Sequence, residues 1–248
     1  MKRNMLVAGV LLCLLGPGTA RAQDATDITS EPHHHLLLEN DKVRVFEVMI
    51  GAHTSTQLTR HEHNYLVVTL ADSEIASWAE GQAGVITYRY NQNDMRFFFR
   101  GPARTMRNDT ANEYHNLTVE FLNPKVTTFG YQPDAGHWEY GSNALPPPVD
   151  SRAKFTDVME LGEATVKDVQ LLPDDEYPAP EKEAAELVIA LSDLDLKTME
   201  GRIRKSPGEL AWIEPGRKAK LVNNGTEPAR LVLVELRSQA SSGDSGGF

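Results

Sequence analysis

Cysteine is almost missing from the sequence: the one example, Cys13, lies in an apolar stretch near the N-terminus. Everything after it must hold together by burying apolar area, because no disulfide can form there. Cations are also in deficit, 25 Lys and Arg against 35 Asp and Glu, for a formal charge of −10. An acidic surface repels phosphate backbones, which argues against nucleic acid as a partner. Long apolar runs are lacking too. The stretch from Met5 to Leu15 is about half of what a helix needs to cross a bilayer, so no retained membrane span is expected. There is no Ser-His-Asp order, Gly-rich phosphate loop, cysteine pair or HExxH helix, so hydrolase, kinase and dinucleotide-binding readings have no support.

What is present begins with Lys2 and Arg3, the apolar run, Gly16 and Pro17, and an Ala-Arg-Ala step at Ala20 to Ala22. This pattern predicts a signal peptide over residues 1–22, cut near Ala22, and a periplasmic or secreted mature protein. Cys13 follows Leu12 rather than a small residue, so it reads as part of the apolar run and not as a lipid attachment point. Cleavage removes three cations and no acid, taking the charge from −10 to −13.

The body of the chain is written in short β-branched and aromatic runs: Val43 to Ile50, Tyr65 to Leu70, Gly84 to Tyr90, Met95 to Arg100 and His115 to Leu122. Gly, Asn and Asp clusters separate them, which predicts an all-β barrel or sandwich. Three consecutive prolines, Pro146 to Pro148, interrupt the pattern and mark residues 133–150 as a linker. The second half then repeats the first. Leu66 to Asp72 lies over Leu187 to Asp193, and Val45 over Val166, at an offset of 121. Asn108 to Phe121 lies over Asn223 to Leu236, Glu120 over Glu235 among them, at an offset of 115. Ordered matches at a near-constant spacing imply two copies of one unit, residues 30–132 and 151–237. Helix-forming residues from Glu181 to Leu187 oppose a strand there, and the repeat is given precedence over propensity. The tail at residues 238–248 has too little apolar surface to repay ordering.

These residues resemble the cupin superfamily across nearly the whole mature chain. Gly51, the pair His61-Glu62-His63 and the strand after it match the family's first motif, and Gly101 to Asn108 and Glu214 to Asn224 match its second. The stretch from Leu36 to His63 also looks like small cupins in which an "ENxxVRV" strand precedes the His pair. The resemblance implies a bicupin, two tandem jelly-roll β-barrels with little helix, each with an interior pocket. It also implies a metal set of two His, a Glu and a further His. Here the Glu position falls on Val67 or Val68 and the last His position on Arg104. In the second copy Lys182 and Ala184 cover the His pair and Ala219 the last His, so that barrel is expected to be degenerate and metal-free.

Three readings of the first barrel stay open. If His61 and His63 share a strand, their imidazoles converge and can make half of a Zn, Mn, Fe, Ni or Cu site, with His115 or His53 as third ligand. That would be a metal-dependent enzyme, a dioxygenase or isomerase. Alternatively Arg104, with the His pair and Arg107, captures a small anionic ligand such as a carboxylate. The third reading leaves the His pair at the barrel mouth with no ligand and Arg104 solvated or paired with Glu113. The favoured function is an exported bicupin binding a small, anionic molecule or a protein partner. His33 to His35 read as surface imidazoles, and Trp78, Trp212 and Phe97 to Phe99 as core or interface. Exposed sheet edges leave a homodimer or a pairing of the chain's own barrels open.

Overall fold

The computed structural model describes residues 24–122, 139–143, 154–162, 164–178, 184–215 and 220–236. The leader, most of the 133–150 stretch, Lys182, Ala219 and the tail lie outside them. Among the described residues, regular structure is twenty strands and one 3-10 turn, Ile28–Ser30, so the fold is all-β.

The first half contributes β1 (Thr26–Asp27), β2 (His34–Glu39), β3 (Val43–Ile50), β4 (Thr59–Arg60), β5 (Tyr65–Thr69) and β6 (Ser73–Ala79). It continues with β7 (Ile86–Tyr90), β8 (Met95–Phe98), β9 (Arg104–Arg107), β10 (Tyr114–Phe121) and β11 (Glu139–Asn143). They form two sheets, β1-β4-β9-β6-β7 and β11-β8-β5-β10-β3-β2. Strand β11 comes from within the Pro-rich stretch and adds an edge to β8.

The second half contributes β12 (Lys154–Glu160), β13 (Ala164–Leu171), β14 (Glu176–Tyr177), β15 (Ala185–Ala190) and β16 (Leu194–Thr198). After them come β17 (Gly201–Lys205), β18 (Leu210–Ile213), β19 (Leu221–Asn223) and β20 (Ala229–Leu236). Their sheets are β12-β13-β20-β15-β18 and β14-β19-β16-β17. Strand for strand, the order β8-β5-β10-β3-β2 reappears as β18-β15-β20-β13-β12. Strand β15 includes Ala185 to Leu187, so tertiary pairing with β20 and β18 overrides the helix propensity there.

The repeat extends to single hydrogen bonds. Asn108 is buried and its Nδ2 donates to the Ile50 carbonyl at 2.9 Å and the Asn112 carbonyl at 2.6 Å. Asn223, at the matching position, donates to Leu171 at 3.0 Å and Glu227 at 2.8 Å. Each amide donates to two carbonyls at the ends of a loop, one of which, that of Asn112, also accepts from the Thr110 hydroxyl at 3.0 Å. This Asn is therefore a structural latch in both copies.

Alternation along the strands assigns each residue to a face. Phe46, Val48 and Ile50 on β3 join Ile75, Tyr90 and Tyr114 inside the first barrel. Val169, Leu171, Val188, Leu196, Leu231 and Leu233 fill the second. The opposite faces of the two larger sheets pack on each other: Val45, Leu66, Val68, Leu117 and Val119 meet Val166, Leu187, Ile189, Val232 and Val234 in one cluster. Both faces of β5 and β15 are thus buried, which is why these strands read as unbroken apolar runs. At the turn of Gly208, φ +85°, the backbone approaches this interface so closely that a Cβ there would lie 3.1 Å from Leu70 Cδ1. The chain's own second barrel therefore covers this apolar sheet face of the first.

Candidate functional site

The interior of the first barrel holds a cluster of polar side chains that the apolar content of its strands hides. Glu120, fully buried on β10, accepts from Arg44 Nη2 at 2.8 Å and lies 2.9 Å from His61 Nδ1. His61 stacks on Tyr65 with ring centres 3.8 Å apart, and Tyr65 stacks on Phe98 at 5.1 Å. Burial, first of all, pushes the His61 imidazole below its ordinary pKa, and the nearby His34 and Arg104 act in the same direction against the pull of Glu120. The ring is therefore neutral at pH 7.

His61 and His63 do not share a strand: β4 ends at Arg60 and β5 starts at Tyr65, so both lie in the connecting bend. His61 is buried and His63 only half-buried, so the i, i+2 parity that would aim both inward does not apply. His115 has the parity of Leu117 and Val119, the face turned to the second barrel, and its Nε2 lies 2.9 Å from Glu47 Oε1. His53 sits in an exposed turn at φ +58°. Neither is placed as a third ligand. Among the described residues, no group of three or more His, Cys, Asp or Glu side chains is placed to hold a metal ion. The cation of Arg104 acting on His61 also opposes one, so these residues do not fit a metal set of two His, a Glu and a further His.

Arg104 lies inside, 9% exposed, at the start of β9 opposite Thr59 of β4. Its guanidinium carbon sits 5.9 Å from the centre of the Phe98 ring, and it donates to the Tyr88 hydroxyl. Tyr65, ahead of Tyr88 and Tyr90, moves the Arg104 pKa further up against the opposing effect of burial, and the guanidinium is charged throughout. No carboxylate pairs with it among the described residues, Glu113 included. Arg107 is instead exposed, over the Trp78 ring, with Nη2 2.7 Å from Asp109 Oδ2, and takes no part.

One site residue escapes a reading of the sequence. The triplet His33-His34-His35 looks like a surface run, yet His34 on β2 is 7% exposed and its ring lies 6.2 Å from that of His61, edge to face. Glu31, 1% exposed, approaches His34 Nδ1 at 2.6 Å and His33 Nδ1 at 2.9 Å. Burial pushes Glu31 upward, but hydrogen bonds from His34, His33 and the Gln57 and His33 backbone N–H groups outweigh it and bring its pKa down to about 2.

The second barrel also buries polar side chains. Glu186 on β15 sits directly opposite Glu235 on β20. Glu235 accepts from the Tyr177 hydroxyl at 2.8 Å and pairs with Lys167 Nζ at 3.1 Å. Glu186 is 1% exposed and neither of its oxygens has a hydrogen-bond partner among the described residues. Burial, then the charge of Glu235, raises its carboxyl from the ordinary 4.5 to about 7.

Two paired β-barrels of jelly-roll type, each with a few buried polar side chains in an apolar interior, make up the described residues. No family model and no curated relative matches the sequence. Solved structures do match. A cupin 2 conserved barrel domain protein from Leptotrichia buccalis is 9% identical, covers 87% of this chain and 92% of its own, and superposes with a TM-score of 0.53. AerE from Microcystis aeruginosa is 8% identical over 84% and 99%, at 0.57. A salicylate 1,2-dioxygenase from Pseudaminobacter salicylatoxidans is 8% identical over 82% and 75%, at 0.56. Likeness at this level of identity establishes the fold, and the fold of this chain is the cupin fold.

Proposed function

We propose that the protein, after export, binds a small anionic molecule inside its first barrel, with Arg104 as the anchor. The carrying observation is a buried guanidinium that no carboxylate of the described residues neutralises, set among aromatic rings. A buried cation without an anion is costly, and a ligand carboxylate offers the planar, two-oxygen partner that a guanidinium binds best. Arg44 is already matched to Glu120, which leaves Arg104 to the ligand.

Thermal shift against a carboxylate panel tests this directly, since a ligand that binds only the folded state raises the melting temperature. Benzoate and propionate raise it in the wild type, Arg104→Met abolishes the rise, and Arg107→Gln retains it. A wild type indifferent to every carboxylate overturns the reading. The metal-dependent enzyme reading makes a separate demand. It requires stoichiometric Zn, Mn, Fe, Ni or Cu in the purified protein that disappears in the His61→Ala, His63→Ala double variant.

A further inference from the structure

The loop that each latch closes is bent in the same way in both copies. Asn108 Oδ1 accepts from the Thr110 backbone N–H at 3.0 Å, and Asn223 Oδ1 accepts from the Gly225 N–H at 2.9 Å. Between latch and donor stands one residue, Asp109 in the first copy and Asn224 in the second. The two differ in chemistry. Asp109 has no ammonia to lose, pairs with Arg107 at 2.7 Å, and is followed by a β-branched residue whose hydroxyl also donates to Asn108 Oδ1, at 2.7 Å. Asn224 is exposed, its side-chain amide makes no hydrogen bond among the described residues, and the residue after it has no side chain. Asn224-Gly225 is the one Asn-Gly step in the sequence. A backbone nitrogen that follows an asparagine can close a five-membered ring on its side chain, and glycine screens that nitrogen least.

We propose that Asn224 is a site of spontaneous deamidation through a succinimide, and that the Asn223 latch guards it. The Gly225 nitrogen gives its proton to solvent base and bonds to Asn224 Cγ; the bond from Cγ to the side-chain nitrogen breaks, and ammonia leaves. Water then adds to either carbonyl of the ring, and opening yields aspartate or isoaspartate. One water is consumed, one ammonia is released, and nothing is oxidised or reduced. While the Gly225 N–H is bonded to Asn223 Oδ1 its proton is withheld from base, so the reaction proceeds from the locally opened loop. Isoaspartate routes the backbone through Cγ and lengthens it by one methylene, which carries the Gly225 N–H off Asn223 Oδ1. The change thus loosens its own guard. At the matched place the first barrel is spared, because Asp109 is already an acid.

Trypsin releases this loop as Leu221–Arg230, so ageing of the purified mature protein at neutral and mildly alkaline pH can be followed by mass spectrometry. The expected result is that this peptide gains the mass difference between an amide and an acid, faster in alkali. Part of the product is isoaspartate, scored by an isoaspartyl methyltransferase. Asn223→Ala should speed the gain about five-fold, the worth of one freed hydrogen bond. Asn108→Ala, which loses the matching latch in the first barrel, should leave the rate unchanged and so separates local release from general destabilisation. Gly225→Thr, which copies the first barrel's step, should abolish the gain; circular dichroism and melting check that each variant folds. No gain in this peptide, or a gain no greater than at Asn40 or Asn116, overturns the site. A product free of isoaspartate overturns the succinimide route. Equal rates in the wild type and Asn223→Ala, or equal acceleration by Asn108→Ala, overturn the guarding role.

Discussion

Glu120 and Glu235 occupy equivalent positions on β10 and β20, both inside their barrels, yet their surroundings differ in sign. Around Glu120 stand a guanidinium and an imidazole that satisfy both of its oxygens. Around Glu235 stand one lysine, one tyrosine and a second carboxylate, Glu186, which takes the place that Tyr65 has in the first barrel. The first interior sets Arg44, Arg96 and Arg104 against Glu31, Asp94 and Glu120; the second adds the buried Glu186 to Glu235, with Lys167 as the nearby cation. Matched scaffolds thus support different buried charges, because the latches and the paired faces repeat while the inward residues do not.

Substitutions at matched positions sharpen that contrast. Glu120→Gln leaves Arg44 buried without its counter-charge and should cost about 3–5 kcal/mol in urea denaturation, whereas Glu235→Gln relieves repulsion with Glu186 and should stay within about 1 kcal/mol. Equal losses would break the comparison. Glu186→Gln should act through pH. The folded carboxyl titrates near 7 and the unfolded one near 4.5. The folded state therefore binds the extra proton, and the stability it brings is full below about pH 4.5 and lost as pH rises through 7. The variant should gain up to about 3 kcal/mol at pH 8, gain nothing at pH 4, and flatten the melting profile between. Asn108→Ala and Asn223→Ala should cost about the same, roughly 2 kcal/mol each, since each removes two hydrogen bonds from a buried amide to loop carbonyls. Unequal losses would show that the latch has diverged. Gly208→Ala should cost about 1 kcal/mol by melting, from a positive φ and the close approach to Leu70.

The scaffold was legible because it repeats. Leu66 over Leu187 and Asn108 over Asn223 locate the same strands and the same latch, and the apolar alternation supplies the rest. The site was legible only in part. Arg104 emerged by counting back from Asn108, but the His pair suggested a strand where the chain bends, and the face of β10 that carries His115 turns out to be the one packed on the second barrel. Glu120 carried a usable signal: an acid repeated at Glu235 within otherwise apolar strands, a place where charge is expensive. His34 carried none, because its burial depends on Glu31 three residues earlier, and a triplet of imidazoles looks alike at all three positions. The Glu186 pair was hidden for a related reason, since a helix-forming segment drew attention to propensity and away from what faces Glu186 across the ladder.

The cluster joining the two larger sheets is built from corresponding positions on each side: Val45 with Val166, Leu66 with Leu187, Val68 with Ile189, Val119 with Val234. That is the self-complementary contact by which two identical subunits associate about a twofold axis. A covalent tie between such subunits frees them from having to stay alike. One half can then keep a buried guanidinium among aromatic rings while the other gathers facing carboxylates, and neither loses its mate.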